Sequence, residues 1–196
     1  VQQLLNPEMD LHGEAPEATE DLTAAQAENP DVFAWLKLPG TKLDTPIILS
    51  SQNGVSENSV QSVTLDPGNS SDFMDPNTIL HGAAAAEGDP FYPILAYGDP
   101  EYVNAHPYFY IQADGMMLEY QVFAAYEAEP EPILINHNCY DYYEYEDYIN
   151  GIFDRRDMSM VINESLRDTA LNAWSIITLE AEENAETSRL VQAVLT

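Results

Sequence analysis

A mainly β fold carrying added helices is predicted for this chain by three observations. Thirteen prolines, nine glycines and twelve tyrosines make a turn-rich, aromatic composition that suits strands better than a helical bundle. One hairpin is plainly written: Tyr108 to Gln112 and Met117 to Tyr126 flank Asp114-Gly115, a strong two-residue turn signal. Apolar side chains then recur at helical spacing in Tyr145, Tyr148, Ile149, Ile152 and Phe153. With 196 residues and 45% hydrophobic content, the chain is long enough for one domain with a sizeable core.

Each element follows in order. Residues 1–22 read as an acidic tail or short helix, and 23–196 as the domain. Thr23 to Glu28 suits a helix that Pro30 stops. Two strands follow between Phe33 and Leu49, joined by the Pro39-Gly40 turn, and residues 50–62 read as a polar loop. Val63 to Asp66 is a short strand, Pro67 to Asn77 a long turn, and Thr78 to His81 a strand expected to end at Gly82. Residues 83–107 hold a loop and a short helix ending near His106-Pro107. In the second hairpin strand Leu118, Tyr120, Val122 and Ala124 are expected on one face by the period of two. Residues 127–139 read as a loop with two prolines, and an amphipathic helix runs from about Tyr140 to Arg155 with its tyrosine stripe packed into a core. Trp174 to Leu179 and Leu190 to Leu195 are the last strands. There are no internal repeats and no low-complexity linker.

Six Lys and Arg against 34 Asp and Glu leave a net charge of −28. A nucleic-acid binder needs clustered cations to neutralise phosphates, so that class is excluded. An anionic membrane surface would repel such a chain as well. The charge favours cationic partners or divalent ions, and a solvated acidic surface is the plainer reading. Cys139 is the single cysteine, so no internal disulfide exists. No run of about 18 apolar residues is present and no secretory leader is legible. Val1 in place of Met suggests a trimmed chain.

Four segments, taken together and in order, resemble class B sortases, extracellular cysteine transpeptidases of Gram-positive bacteria. They are NPDVFAWLKLPGTKLDTPI (29–47), SDFMDPNTILHG (71–82), HPYFYIQADGMMLEYQVFAAYEAEP (106–130), and the acidic helix after it, which sits where class B members insert a helix between two late strands. The resemblance spans roughly residues 25–196. It implies a sortase-like closed β-barrel of about seven or eight strands with an N-terminal helical extension and that inserted helix. It also implies a place on a Gram-positive cell surface or cell wall with an N-terminal anchor removed. Expected partners are a sorting-signal-like peptide, a pilin or another cell-wall protein. No cofactor and no metal are expected.

The family's chemistry rests on a Cys that attacks the sorting signal, a His that serves as acid and base, and an Arg that steadies the oxyanion or the substrate. By the resemblance, Ala83 stands in the His position and Glu182 in the Cys position, while Arg189 is kept. Two of the three reactive groups are therefore replaced, and a non-catalytic binding or assembly module is the expected function. The alternative is an enzyme of altered chemistry that uses Glu182, Arg189 and possibly His81. Glu180, Glu182, Arg189 and His81 are the candidates for the groove. His81 precedes Ala83 by two residues and faces the same side of an extended strand, although packing is its plainer role. Glu180 and Glu182 share a face and so allow a carboxylate pair. Glu182, Glu183 and Glu186, or the aspartates between Asp66 and Asp75, are minority candidates for a divalent cation. Cys139 is expected to pack rather than react. Glu182 or Glu180 is expected to pair with Arg189, whose five donors need acceptors.

Overall fold

The computed structural model describes residues 21–49 and 62–196. The expected N-terminal tail and most of the polar loop after Leu49 lie outside the described residues. Helix α1 (Leu22–Glu28) is capped by Asp21, whose carboxylate accepts from Ala24 N–H. Strand β1 (Val32–Lys37) then pairs antiparallel with β2 (Asp44–Leu49), which runs parallel to β3 (Val63–Leu65). Strand β4 (Asn77–Ala83) pairs antiparallel with β3 and parallel with β8 (Ile176–Asn184). From β8 the ladder continues antiparallel through β9 (Thr187–Leu195) to β6 (Met116–Ala128). The hairpin partner of β6, strand β5 (Tyr108–Ala113), pairs with β1 and closes a ring of eight strands. A two-residue strand, β7 (Val161–Ile162), adds to β6 outside that ring. The architecture is mainly β and closed, as expected.

Two apolar layers follow from strand alternation. The inner layer fills the barrel with residues such as Leu36, Ile47, Leu80, Ile111, Leu179 and Val191. Phe91, Ile94 and Tyr97, on or beside the 3₁₀ turn Tyr92–Gly98, join this layer. That turn leads into α2 (Pro100–Ala105), which ends at His106 as the sequence predicts. The outer layer is the seat of α4 (Tyr142–Phe153), whose Tyr145, Tyr148, Ile149, Ile152 and Phe153 pack on Ile79, Phe123, Ile176, Leu190 and Val194. Burial of each such side chain stabilises by about 1.5–3 kcal/mol, so the tyrosine stripe is core, as read. Asp141 caps α4 by accepting from Tyr143 N–H and Glu144 N–H. The short helices α3 (Ile133–Asn136) and α5 (Arg167–Leu171), and β7, fall where the sequence carries no periodic signal.

Three local expectations are corrected. Gly82 does not end β4. It stays in register opposite Ala181, and its missing side chain leaves room for Phe91, which lies 2.6 Å from a Cβ built there. Ala124 does not share a face with Tyr120 and Val122. A register shift between Val122 and Ala124 turns it outward, and Ala125 takes the inner position. Trp174 lies outside β8 and is 75% exposed. The hairpin turn is as written: Asp114 and Gly115 have φ of 46° and 76°, the paired left-handed conformation of a tight two-residue hairpin.

Candidate functional site

The site candidates gather where β4 and β8 run side by side. In that parallel ladder His81 lies beside Glu180, and Ala83 beside Glu182. Neighbours in register share a face, so all four point outward, away from the barrel interior. Antiparallel β3 adds Thr64 opposite His81, and Asp66 just beyond completes the cluster. His81 Nε2 is 3.0 Å from Asp66 Oδ2, and its Nδ1 is 3.1 Å from Glu180 Oε2 and 4.0 Å from Glu182 Oε1. Burial works against the charged ring. The hydrogen bonds to Asp66 and Glu180 outweigh it, and the imidazole pKa rises to about 9. The same contact holds the Asp66 carboxyl below its ordinary value, with help from Gly68 N–H, against a smaller opposing effect of burial.

His81 is therefore an imidazolium clasped by carboxylates at neutral pH. It faces the site, which the packing reading did not foresee, and it is held in the state that cannot accept a proton. Glu180 is buried beneath it, whereas Glu182 is 57% exposed at the open end.

Arg189 does not join this group, so the expected pair with Glu182 or Glu180 is corrected. The β8–β9 turn pairs Asn184 with Thr187, and a regular ladder from there would set Glu182 opposite Arg189. The register slips between Glu182 and Asn184. Glu182 then faces Ser188, Glu180 faces Leu190, and Arg189 faces Ala181 on the inner side. On its other flank Arg189 opposes Glu127 of β6, and the two side chains meet at 2.5 Å. The guanidinium is 7% exposed and lies against Gly98, where a built Cβ would be 3.0 Å from Nη1. Glu127 and Asp66 are thus the partners that sequence reasoning missed. Ser188 is a third omission: its buried Oγ has no hydrogen-bond partner among the described residues.

Cys139 stands apart. It is buried in the outer layer at the start of α4, and burial, eased a little by Asn77, raises its thiol pKa to about 11. Asn77 begins β4 and Ala83 ends it, so the thiol and the open end of the ladder are about 20 Å apart. The aspartate-rich turn before β4 is organised by Asp75. Its carboxylate accepts from Ser70 N–H, Ser70 Oγ, Asn69 Nδ2 and the Tyr140 hydroxyl. Burial opposes the charge there, and those donors together hold the Asp75 pKa low. No group of three His, Cys, Asp or Glu side chains arranged to hold a metal occurs among the described residues.

An eight-stranded closed barrel, with parallel β4 and β8 side by side and a helix laid over the outer face before β8, is the sortase architecture. The chain carries a class B sortase-like domain. No family model matches the chain. It is 25% identical over 183 residues to the sortase B of Listeria monocytogenes, covering 89% of this chain and 73% of that protein. Among solved structures it resembles a mutant form of Clostridium perfringens sortase B, with TM-score 0.73 and 18% identity, covering 89% of this chain and 85% of the other. The Staphylococcus aureus sortase B–substrate complex gives TM-score 0.70 and 19% identity, covering 89% and 84%. The sortase B from the type II pilus of Streptococcus pneumoniae gives 0.66 and 22%, covering 90% and 99%.

Proposed function

We propose that this domain is a pseudo-sortase of a Gram-positive cell surface: it binds or helps assemble cell-wall proteins and does not transfer peptides. The observation that carries the reading is the chemistry at the end of the β4–β8 ladder. A methyl group and a carboxylate, Ala83 and Glu182, stand where the resemblance calls for imidazole and thiol. A carboxylate attacking an amide would give a mixed anhydride, and the leaving amine would need a proton from a nearby acid. His81, with a pKa of about 9, is committed to Asp66 and Glu180. The altered-chemistry alternative also asks Arg189 to act beside Glu182, and the ladder turns them to opposite faces.

A peptide ligand is favoured because one structural relative is a sortase B–substrate complex. A sorting-signal-like peptide, a pilin or another wall protein would fit that role. No described helix is long and apolar enough to cross a membrane, and attachment would come from an N-terminal anchor. The test is incubation of the purified domain with a sorting-signal peptide and triglycine, followed by mass spectrometry of peptide and protein. Intact peptide and unmodified protein are expected. A cleaved peptide, or an acyl group on Cys139 or Glu182, would overturn the reading.

A further inference from the structure

Beside α4, away from the His81 cluster, the fold leaves a cleft of about 530 Å³, a size that accepts a side chain or small ligand. One wall is the stripe Glu144, Asp147, Gly151 and Arg155 of α4 and its end. The other is the segment from Glu131 to His137, with the rings of Tyr126 and Tyr148 between them. The ladder row His81, Glu180, Leu190, Tyr126 spans three strand spacings, so this cleft lies about 14 Å from the histidine.

We infer that this cleft receives a basic side chain, lysine or arginine, of a partner polypeptide. Three carboxylates, Glu131, Glu144 and Asp147, converge on it against one cation, Arg155. Arg155 is already engaged, its guanidinium 4.3 Å from the centre of the Tyr126 ring. That guanidinium covers the Tyr126 ring and His137 lies 4.7 Å from the Tyr148 ring, so an incoming cation meets the carboxylates rather than an open aromatic face. Glu131 accepts from Asn136 Nδ2 and Glu144 from Asn138 N–H, whereas Asp147 is exposed with no ion pair or hydrogen bond among the described residues. The wall is open at Gly151, where an added Cβ would meet nothing within 4 Å. A net charge of −28 steers a basic segment towards such a surface. The inference goes beyond the proposed function and does not depend on whether the domain catalyses.

The experiment is a backbone-amide NMR titration at fixed ionic strength with Nα-acetyl-lysine amide, Nα-acetyl-arginine amide and the uncharged Nα-acetyl-norleucine amide. Saturable shifts at Tyr126, Asp147, Gly151 and Ile152 are expected with the two cations and not with norleucine. Gly151→Phe fills the cleft from an unobstructed position, so it should abolish those shifts while melting stays unchanged. Asp147→Asn should weaken binding about threefold, as loss of one exposed ion pair implies. Shifts scattered over the acidic surface, equal binding of norleucine, or full binding by a folded Gly151→Phe variant would each overturn the proposal. An acyl-enzyme in the transfer assay would leave it standing.

Discussion

Arg189 and Glu182 occupy adjoining strands and point to opposite faces of the sheet. The register slip before Asn184 delivers Arg189 to Glu127 on the inner side and leaves Glu182 with Ser188 on the outer side. The two charges that the sequence invites one to pair are therefore separated by the sheet itself. The guanidinium at the barrel rim has Glu127 as its carboxylate partner, while its buried Nε has no acceptor among the described residues.

The first prediction concerns that pair. Glu127→Gln removes the charge partner of a nearly buried guanidinium, although Glu127 itself is 44% exposed. A loss of about 1–2 kcal/mol in urea denaturation is expected, less than for a fully buried pair because water reaches one partner. Glu182→Gln should change stability by no more than about 0.5 kcal/mol. A larger loss from Glu182→Gln than from Glu127→Gln would mean that the register is wrong.

His81 gives the second. Its folded pKa of about 9 lies above the ordinary 6.5. The stabilisation it contributes is full below about pH 6.5 and is lost as pH rises through 9. The shift corresponds to something on the order of 3 kcal/mol. Seen from the other partner, the lowered Asp66 pKa makes the same contact fade only as pH falls below the ordinary carboxylate value of 3.8. His81→Gln should therefore melt well below the parent at pH 6.5 and approach it by pH 10. A direct NMR titration placing His81 near 6.5 would sink the claim.

The parts of this molecule governed by local pattern were legible in the sequence. The α4 stripe, the Asp114-Gly115 hairpin and the order of the strands follow from periodicity, turn chemistry and the family resemblance. What was not legible depends on single-residue slips and on contacts between distant segments. One slip in β6 turned Ala124 outward, and another in the β8–β9 hairpin parted Arg189 from Glu182. Nothing in the spacing of those residues announces a bulge. Asp66 is fifteen residues from His81 and meets it only because the long turn folds β3 back on β4. The parity argument set His81 on the same side of the strand as Ala83, and the β4–β8 ladder does so. It carried no information about the carboxylate waiting on the next strand.

A third prediction tests Cys139 as a packed thiol. With a pKa of about 11 and a buried side chain, it should react with iodoacetamide at neutral pH only as fast as the domain opens. Added urea should then accelerate the labelling steeply. Cys139→Ala should cost about 1 kcal/mol through lost packing and leave any peptide binding intact. Rapid labelling of the native domain without denaturant would show a reactive thiol and reopen the case for catalysis.

The last prediction rebuilds the missing groups. Ala83 and Glu182 are direct partners in the parallel ladder, about 4.8 Å apart between strands and on one face. In an Ala83→His, Glu182→Cys double variant the new imidazole and thiol would sit side by side at the exposed end of that ladder. A neighbouring imidazolium favours the thiolate, while Cys139 remains buried with a pKa of about 11. The introduced thiol should therefore alkylate about a hundredfold faster than Cys139 at neutral pH, read by peptide mapping in the same sample. Peptide transfer is a separate matter. Stabilising a developing oxyanion takes a donor aimed at it, and Arg189 lies on the opposite face, bound to Glu127. The double variant should thus gain a reactive thiol and still fail to transfer a sorting-signal peptide to triglycine. Equal labelling of both thiols would contradict the placement of residues 83 and 182. Efficient transfer would contradict the burial of Arg189, or show that the groove supplies another donor in its place.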